Sequence, residues 1–377
     1  MKLLLSIIFG VTTAACVPKH ETAGRRIVPD ASGQQAKTQT TIEPAQTVLK
    51  SWSLRQGLWD APRQGRAPTT AWTMVFDGPI VHPLVLDGEY VYAVSGGTVS
   101  KVRIDGTLVW STDVEADGRP TPFSGGVLVP NRSGVMQLLA SDSGDILESY
   151  GGFASVRTAA LPLQSRYAWI ERDGILITSD TQNGPIIMGP VSDAASDAEY
   201  LYVGNMHGQF AAVSENGIHW LAEVPGPVSA HPVIGDDQVF VPFGSKNQGQ
   251  GGLAALNLAD GVENWVAYFG SGPSAPAALG QFLIVPSRSG DLIALDPRHG
   301  GTRWRAPGTA IQATQPAIVR DAIYTCDGHG RLARFDMADG GSAWTVDLGV
   351  PITGDPVVTP QFIIVGTSDG RLLALSQ

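Results

Sequence analysis

Residues 315–344 read QPAIVRDAIYTCDGHGRLARFDMADGGSAW, and this stretch decides the fold. An apolar run follows Pro316, two more runs follow at Ala322 and Arg331, and glycine-containing turns separate them before the stretch closes on Trp344. Short strands divided by glycine-containing turns at even spacing are typical of an all-β repeat protein. The stretch therefore predicts a four-stranded antiparallel unit whose last strand carries the tryptophan.

The same pattern recurs between residues 67 and 377, where a Trp is followed by a Pro 11 or 12 residues later. In one copy Tyr150 stands in place of the Trp, and near Met188 the Trp is missing. Eight copies in this region give a period of about 39 residues, close to the length of a propeller blade. The repeated tryptophans are Trp72, Trp110, Trp220, Trp265, Trp304 and Trp344.

These tryptophans are interpreted as structural residues that fill the space between neighbouring blades. An indole buries about 150–250 Å², which suits a recurring gap between two packed sheets. The alternative is that the tryptophans form a platform for a ligand.

The two ends of the repeat region complement each other. The first segment, 69–75, is a Trp strand with nothing of the repeat before it, and the last copy, 355–375, stops before its Trp strand. Joining the two would complete one four-stranded blade and close a ring, which leaves no long exposed sheet edge. The sequence predicts a monomeric eight-bladed β-propeller of four-stranded antiparallel blades, closed by its N- and C-terminal strands.

Composition and charge exclude several classes of protein. Hydrophobic residues make up 43% of the chain, which is enough for a large core and excludes global disorder. A formal net charge of −10 argues against nucleic-acid binding, because such proteins need a basic face to displace counterions from phosphates. The sequence predicts a partner other than nucleic acid.

The N-terminus reads MKLLLSIIFGVTTAAC and ends on Cys16. Its apolar run is too short to cross a hydrocarbon core of about 30 Å, so residues 1–15 are predicted to be a cleaved signal peptide. The small residues before Cys16 are similar to a bacterial lipobox, which predicts lipidation, including palmitate, at this cysteine. The alternative is an ordinary secretory signal peptide cleaved near Ala15. Residues 16–66 lack sustained periodicity and are predicted to be a lipid-anchored, flexible tether.

No enzyme chemistry is predicted. Cys326 is the only other cysteine and lies in an apolar run, which favours a buried structural role. His82 and His231 each precede a proline at the start of a repeat, in units on opposite sides of the ring, so neither is predicted as a metal ligand. The match to the G-x-S-x-G nucleophile elbow, GTSDG at 366–370, falls on a turn of the repeat, so no nucleophile is predicted there.

Two pairs of motifs carry a family resemblance. They are GDLIALD at 290–296 with GGTRW at 300–304, and GLAALN at 252–257 with GVENW at 261–265. They resemble the PQQ-like β-propeller repeat, and with the lipobox-like N-terminus they resemble the BamB family of outer-membrane lipoproteins. The resemblance implies a non-enzymatic scaffold, without a cofactor, that docks on the BamA-type barrel assembly protein and assists assembly of outer-membrane β-barrel proteins.

The resemblance also implies a place in the cell, namely the outer membrane, with the propeller facing the periplasm. Two alternatives to the assembly scaffold remain open from the sequence. One is an exported propeller lipoprotein that binds a small ligand or glycan on its axial face. The other is a remnant of a PQQ-type quinoprotein without catalysis, because quinoprotein dehydrogenases share this repeat.

The most divergent unit, 156–188, is predicted to hold the partner-binding surface. Arginine and aromatic residues are enriched at protein interfaces, and a unit that departs from the repeat is not required by the ring. The alternative is that this unit has merely drifted and that its Trp packs between sheets. The candidate residues are Arg157, Arg166, Tyr167, Trp169 and Arg172.

Overall fold

A computed structural model gives the architecture of the repeat region. It describes residues 67–377 apart from 124, 152–155, 157, 165, 173, 179–181, 186–190, 229, 246–249, 271, 274–277 and 308–313. The predicted signal peptide, the tether and Cys16 lie outside the described residues. Within the described part the chain forms 32 strands and no helix, so none of its elements is a helix that could span a membrane.

The strands of the first half of the ring follow an N-terminal strand, β1 (Thr69–Val75). They are β2 (Val85–Asp87), β3 (Tyr90–Ser95), β4 (Thr98–Arg103) and β5 (Leu108–Asp113) in blade 1; β6 (Thr121–Phe123), β7 (Gly126–Pro130), β8 (Val135–Leu139) and β9 (Ile146–Gly151) in blade 2; β10 (Leu161–Leu163), β11 (Arg166–Ile170), β12 (Ile175–Thr178) and β13 (Gln182–Pro185) in blade 3; and β14 (Ala195–Ser196), β15 (Leu201–Gly204), β16 (Gln209–Ser214) and β17 (Gly217–Glu223) in blade 4.

The second half of the ring repeats this order. Its strands are β18 (Val233–Ile234), β19 (Gln238–Phe243), β20 (Gly252–Asn257) and β21 (Glu263–Tyr268) in blade 5; β22 (Ala278–Leu279), β23 (Leu283–Pro286), β24 (Asp291–Leu295) and β25 (Thr302–Pro307) in blade 6; β26 (Ala317–Val319), β27 (Ala322–Cys326), β28 (Arg331–Asp336) and β29 (Ser342–Asp347) in blade 7; and β30 (Val357–Val358), β31 (Phe362–Gly366) and β32 (Arg371–Ser376) in blade 8.

Both ends of the chain build blade 8. Its sheet has the order β1-β32-β31-β30, whereas the other seven sheets each consist of four consecutive strands, and all of their pairings are antiparallel. Strand β1 pairs with β32 in a register that sets Thr69 opposite Ser376 and Met74 opposite Leu372. The predicted eight-bladed propeller, closed by its terminal strands, is confirmed.

The first strand of each blade lies nearest the axis. The first strands of neighbouring blades pack against one another, as β10 does with β14, β14 with β18, and β26 with β30. The fourth strand has a neighbour on one side only, so it forms the outer edge. Burial follows this order, because β7, a second strand, is buried throughout, whereas Trp110 is the single buried residue of β5, an outer strand.

The propeller has two different ends. At one end, which we call the crossing face, the outer strands lead to the inner strands of the next blades. In seven of these connections a described residue pairs with the turn between the second and third strands, as Ile80 does with Ser95 and Ile352 with Thr367. At the opposite end, the hairpin face, lie the turns between the first and second and between the third and fourth strands. The chain enters the propeller at this hairpin face, because Thr69 lies beside Ser376 at the end of β32.

Candidate functional site

The repeated tryptophans bridge neighbouring blades at the outer rim. Each of five indole N–H groups donates a hydrogen bond to a carbonyl in the turn between the third and fourth strands of the next blade. The pairs are Trp72 to Ile104 (3.0 Å), Trp110 to Ser141 (3.0 Å), Trp220 to Leu258 (2.9 Å), Trp265 to Pro297 (3.1 Å) and Trp304 to Met337 (2.9 Å). Trp344 packs against the core that joins blades 7 and 8.

A glycine in the same turn lies against each of these five indoles. At Gly340 a Cβ atom would lie 2.6 Å from Cε3 of Trp304, and at Gly106 it would lie 2.9 Å from Cδ2 of Trp72. The glycine of the G-x-x-x-W motif therefore contacts the Trp of the preceding blade, while the Trp of its own blade reaches the next one. The motif is a contact between blades as well as a turn within one.

The junction between blades 2 and 3 departs from this arrangement. The pairing register places Glu148, not Tyr150, at the Trp position, because Leu138 pairs with Glu148 just as Ala255 pairs with Trp265. Tyr150 lies two residues further along β9, and its ring contacts that of Trp169 at a centroid distance of 6.1 Å. The sequence assignment of Tyr150 to the Trp position is thus wrong by two residues, because the spacing is counted from Pro162, which lies inside β10, whereas Pro232 and Pro316 directly precede their inner strands.

The structure does not gather the predicted partner-binding residues of blade 3 on one surface. Tyr167 and Trp169 are buried in the core between blades 2 and 3, where Tyr167 also contacts Phe123. Arg166 is half-buried at the hairpin face, and its guanidinium lies 3.7 Å from the Glu215 carboxylate of blade 4. Arg172 is exposed at the crossing face, just beyond the other end of β11. Arg157 lies outside the described residues.

A ring of variable residues surrounds the axis at the crossing face. We define the axial ring as the residues that stand two positions before the inner strand of each blade, and the blade 6 member lies outside the described residues. Because these positions are related by the repeat, they face the axis together. In blades 1 to 5, 7 and 8 they are Pro83, Arg119, Ala159, Asp193, His231, Gln315 and Asp355.

Charged members of the axial ring interact across the axis. The charges of Arg119 in blade 2 and of His231 in blade 5 act on both Asp193 in blade 4 and Asp355 in blade 8. Blades 4 and 8 are opposite each other, so such an interaction places these side chains close to the axis. Nδ1 of His231 lies 3.6 Å from the carboxylate of Asp193, and the carboxylate of Asp355 accepts a hydrogen bond of 2.8 Å from the backbone N–H of Gln315.

The two carboxyls of the axial ring titrate in opposite directions. Burial raises the pKa of Asp355 above its ordinary value, the negative charge of Asp193 adds to this, and Arg119 offsets part of it. Burial acts in the same direction on Asp193, but the neighbouring His231 imidazole, together with the charge of Arg119, holds the pKa of Asp193 below its ordinary value. Divergent environments for two nearby carboxyls are a common feature of functional sites.

The chemistry of the axial ring suits a small ligand with both charges. The Arg119 guanidinium can bind a carboxylate or phosphate, and Asp193 and Asp355 can bind an amine. Within the described residues no group of three or more His, Cys, Asp and Glu side chains could hold a metal ion. Outside the ring, His82 lies 3.7 Å from Asp117, and burial lowers the pKa of its imidazole.

Sequence reasoning missed the axial ring. It treated His82 and His231 as residues that only lead into strands on opposite sides of the ring, but the inner positions of opposite blades are near one another. The signal that would have found the ring is its fixed position before each inner strand, where the residue type changes from blade to blade. To find this position in the sequence, one must know where each inner strand begins. The inner strands are only two or three residues long, so their first residues are hard to predict.

Comparisons with known proteins agree with the propeller architecture. Residues 170–377 match the family model described as "Outer membrane protein assembly factor BamB". Among curated proteins, the BamB of Moranella endobia is 23% identical over 256 residues, which cover 63% of this chain and 59% of that protein. The BamB of Alkalilimnicola ehrlichii is 30% identical over 128 residues, or 33% of each chain. The matched regions thus span less than two thirds of these relatives.

Solved structures show the same fold at low sequence identity. BamB from Moraxella catarrhalis superposes with a TM-score of 0.68 at 16% identity, covering 83% of this chain and 98% of that one. The computationally designed Ika8 protein gives 0.69 at 12%, covering 80% and 98%. Quinohemoprotein alcohol dehydrogenase from Comamonas testosteroni gives 0.67 at 10%, covering 88% and 81%. At these identities the likeness concerns the fold alone.

Proposed function

Because the chain belongs to the family of the outer membrane protein assembly factor BamB, we propose that it is a non-enzymatic scaffold that assists assembly of outer-membrane β-barrel proteins. The observation that carries the proposal is the family match over residues 170–377, which covers more than half of the chain. The eight-bladed fold supports it, since a closed ring offers broad surfaces for protein contacts.

The proposed place of action is the periplasmic side of the outer membrane. Residues 1–15 would be removed as a signal peptide, lipid on Cys16 would anchor the chain, and residues 16–66 would link the anchor to the propeller. A single acyl chain holds a protein only weakly at a membrane, whereas more than one gives stable anchoring. Incorporation of labelled palmitate into the wild-type chain, and its loss in Cys16→Ser, would support the anchor; equal labelling of both would contradict it.

The proposed partner is the BamA-type barrel assembly protein. Copurification of the intact, tagged chain from detergent extracts tests this directly. Recovery of the barrel assembly proteins in proportion to the tagged chain is expected, and their reproducible absence would overturn the proposal. The Cys16→Ser chain is the matched control, because it separates loss of membrane location from loss of the binding surface.

Arg172 gives a finer test of the predicted partner-binding unit, because it is exposed in a turn at the crossing face. Arg172→Glu should leave the folded propeller intact and reduce recovery of the partner. Arg166→Glu is the comparison on the opposite face, where the change also places a carboxylate beside Glu215. Equal recovery of the partner with wild-type, Arg172→Glu and Arg166→Glu chains would contradict an interface at blade 3. It would not contradict the assembly role.

The axial ring favours a second candidate function, the binding of a small ligand at the crossing face. A ligand that binds only the folded state raises the melting temperature in proportion to the logarithm of its concentration. A screen of compounds that carry a carboxylate or phosphate and an amine would test this, with Asp193→Asn as the control that should abolish any shift. A uniform lack of shift across the screen would contradict ligand binding.

A further inference from the structure

An apolar surface crosses the outer rim at the junction of blades 1 and 2. It consists of the two residues that immediately precede the Trp position in each outer strand, Leu108 and Val109 in β5 and Ile146 and Leu147 in β9. All four side chains are exposed. We call this surface, with the pocket behind it, the rim groove.

The repeat itself does not require these apolar residues. The pairing register identifies the equivalent positions in the outer strands of blades 4 to 8. Among these described strands none has two large apolar residues there. Their pairs are Ile218 and His219, Glu263 and Asn264, Thr302 and Arg303, Ser342 and Ala343, and Thr70 and Ala71.

The rim groove contains a pocket of about 680 Å³ that Val109 and Leu147 help to line. At its base Lys101 donates a hydrogen bond of 2.7 Å to the Ser141 carbonyl, and its ammonium lies 4.2 Å from the centroid of the Tyr90 ring. The lysine is held by the walls of the pocket rather than directed into solvent. The pocket thus combines the Tyr90 ring and apolar side chains with the polar Ser141 and Asp142, and its size suits a large side chain.

Carboxylates dominate the turns around the rim groove. Five of them lie in or beside the hairpin-face turns of blades 1 and 2, where the only cations are Lys101 and Arg103. Lys101 is held at Ser141, and Arg103 lies 3.7 Å from one of the five carboxylates. The surface therefore favours a positively charged occupant. The carboxylates are Asp87, Glu89, Asp105, Asp142 and Asp145.

The segment that immediately precedes the propeller has the complementary composition. Residues 48–66 read VLKSWSLRQGLWDAPRQGR, with two tryptophans and four cations against a single carboxylate. Trp52 and Trp59 are the only tryptophans of the chain that precede the repeat region. Basic side chains beside tryptophan suit an apolar groove with an acidic border.

The point where the chain enters the propeller brings this segment close to the rim groove. Thr69 lies at the hairpin face, and Trp72 donates its hydrogen bond to Ile104, in the turn that leads directly to Leu108. Ten residues separate Trp59 from Thr69, which corresponds to a reach of about 33 Å. A short tether of this kind gives a local concentration of about 1 mM, so even weak docking would be populated.

We propose that residues 48–66 dock in the rim groove, with Trp59 in the pocket and the flanking arginines along the acidic turns. The docked segment covers the exposed apolar residues of β5 and β9 and fixes the direction in which the N-terminal chain leaves the propeller. This proposal concerns the isolated chain and does not depend on the proposed assembly role.

A photo-crosslinking experiment on the purified full chain tests the docking. A benzoylphenylalanine replaces Leu147 in one sample and Leu221 in the matched control, because both leucines lie on outer strands with 54% and 53% of their surface exposed. Crosslinks from position 147 to peptides of residues 48–66 are expected, with yields at least several-fold above those from position 221. Mass spectrometry of the digested monomer identifies the peptides.

Trp59→Ala provides the second arm, since it changes a residue outside the propeller core. It should reduce the crosslink from position 147 several-fold while the circular dichroism spectrum stays unchanged. The proposal would be overturned by equal crosslinking from the two positions, by a crosslink that Trp59→Ala does not weaken, or by crosslinks that join two copies of the chain.

Discussion

The outer rim and the axial ring use the same repeat in opposite ways. At the rim the same side chain returns in six of the eight blades, and Trp304 and Trp265 make nearly identical hydrogen bonds to the next blade. At the axis the positions are just as regular, but the residue type changes from blade to blade, and the pKa of Asp193 is lowered whereas that of Asp355 is raised.

The difference separates the residues that hold neighbouring blades together from the residues that give the axial end its charge. A contact that every junction needs is met by the same residue each time, because each junction has the same geometry. A position where each junction makes a different contact, or none, is free to change. We therefore expect substitutions at the rim to reduce stability and substitutions at the axis to alter charge and pH dependence with smaller effects on stability.

The largest effect is expected for Trp304→Ala at the rim. Truncation of a packed Trp to Ala costs about 3–5 kcal/mol, and the lower end applies here because Trp304 is only partly buried. The carbonyl of Met337 also loses its donor. Urea denaturation should show a lower midpoint with little change in slope.

Trp304→Phe is the control for this prediction, since it keeps an aromatic ring but not the N–H group. Loss of one hydrogen bond contributes about 1 kcal/mol, so this variant should lie between the wild type and Trp304→Ala. A loss below about 1 kcal/mol for Trp304→Ala would contradict the importance given to the rim contact.

A smaller effect at the rim is expected for Gly340→Ala. Its φ of +72° costs an alanine about 1 kcal/mol, and the added methyl group would also lie 2.6 Å from Trp304. Gly349→Ala is the matched control, because its φ is +69° and no atom lies within 4 Å of the added group.

The difference between the two alanine variants isolates the blade contact from backbone strain. We expect Gly340→Ala to lose about 1–3 kcal/mol more than Gly349→Ala, the usual cost of overpacking. Equal losses of unfolding free energy in urea would mean that the indole moves aside and that the junction tolerates extra volume.

The same contrast explains how far the sequence alone could predict the molecule. The blade count and the closure by both chain ends follow from the Trp and Gly spacing, because that spacing reflects contacts between consecutive blades. The assignment of Tyr150 to the Trp position is wrong, since a spacing count cannot detect that Pro162 lies inside β10 rather than directly before it.

The candidate sites were less accessible to sequence analysis. Arg166 and Arg172 are close in sequence but lie at opposite ends of β11, about 20 Å of extended chain apart. Asp193 and Asp355 are far apart in sequence but interact across the axis. Contacts between residues of opposite blades, such as those of the axial ring, could therefore be found only once the closed ring was known.

The smallest effects are expected for two axial variants, Asp193→Asn and Asp355→Asn. In each case Oδ1 can still accept the same backbone hydrogen bond, from Ala194 at 2.9 Å and from Gln315 at 2.8 Å. The substitution therefore removes the charge and leaves the local backbone contact. The melting temperature at neutral and acidic pH measures the result.

The two variants should shift stability in opposite directions. The pKa of Asp193 is lowered on folding, so its ionised form stabilises the protein above the ordinary carboxyl pKa, and this contribution is lost as the pH falls through the lowered value. The pKa of Asp355 is raised, so its contribution is present below the ordinary pKa and is lost as the pH rises through the raised value. At neutral pH Asp193→Asn should lower the melting temperature and Asp355→Asn should raise it, with both differences shrinking in acid. If both variants shifted the melting temperature in the same direction, the opposite effects of folding on the pKa values of Asp193 and Asp355 would be contradicted.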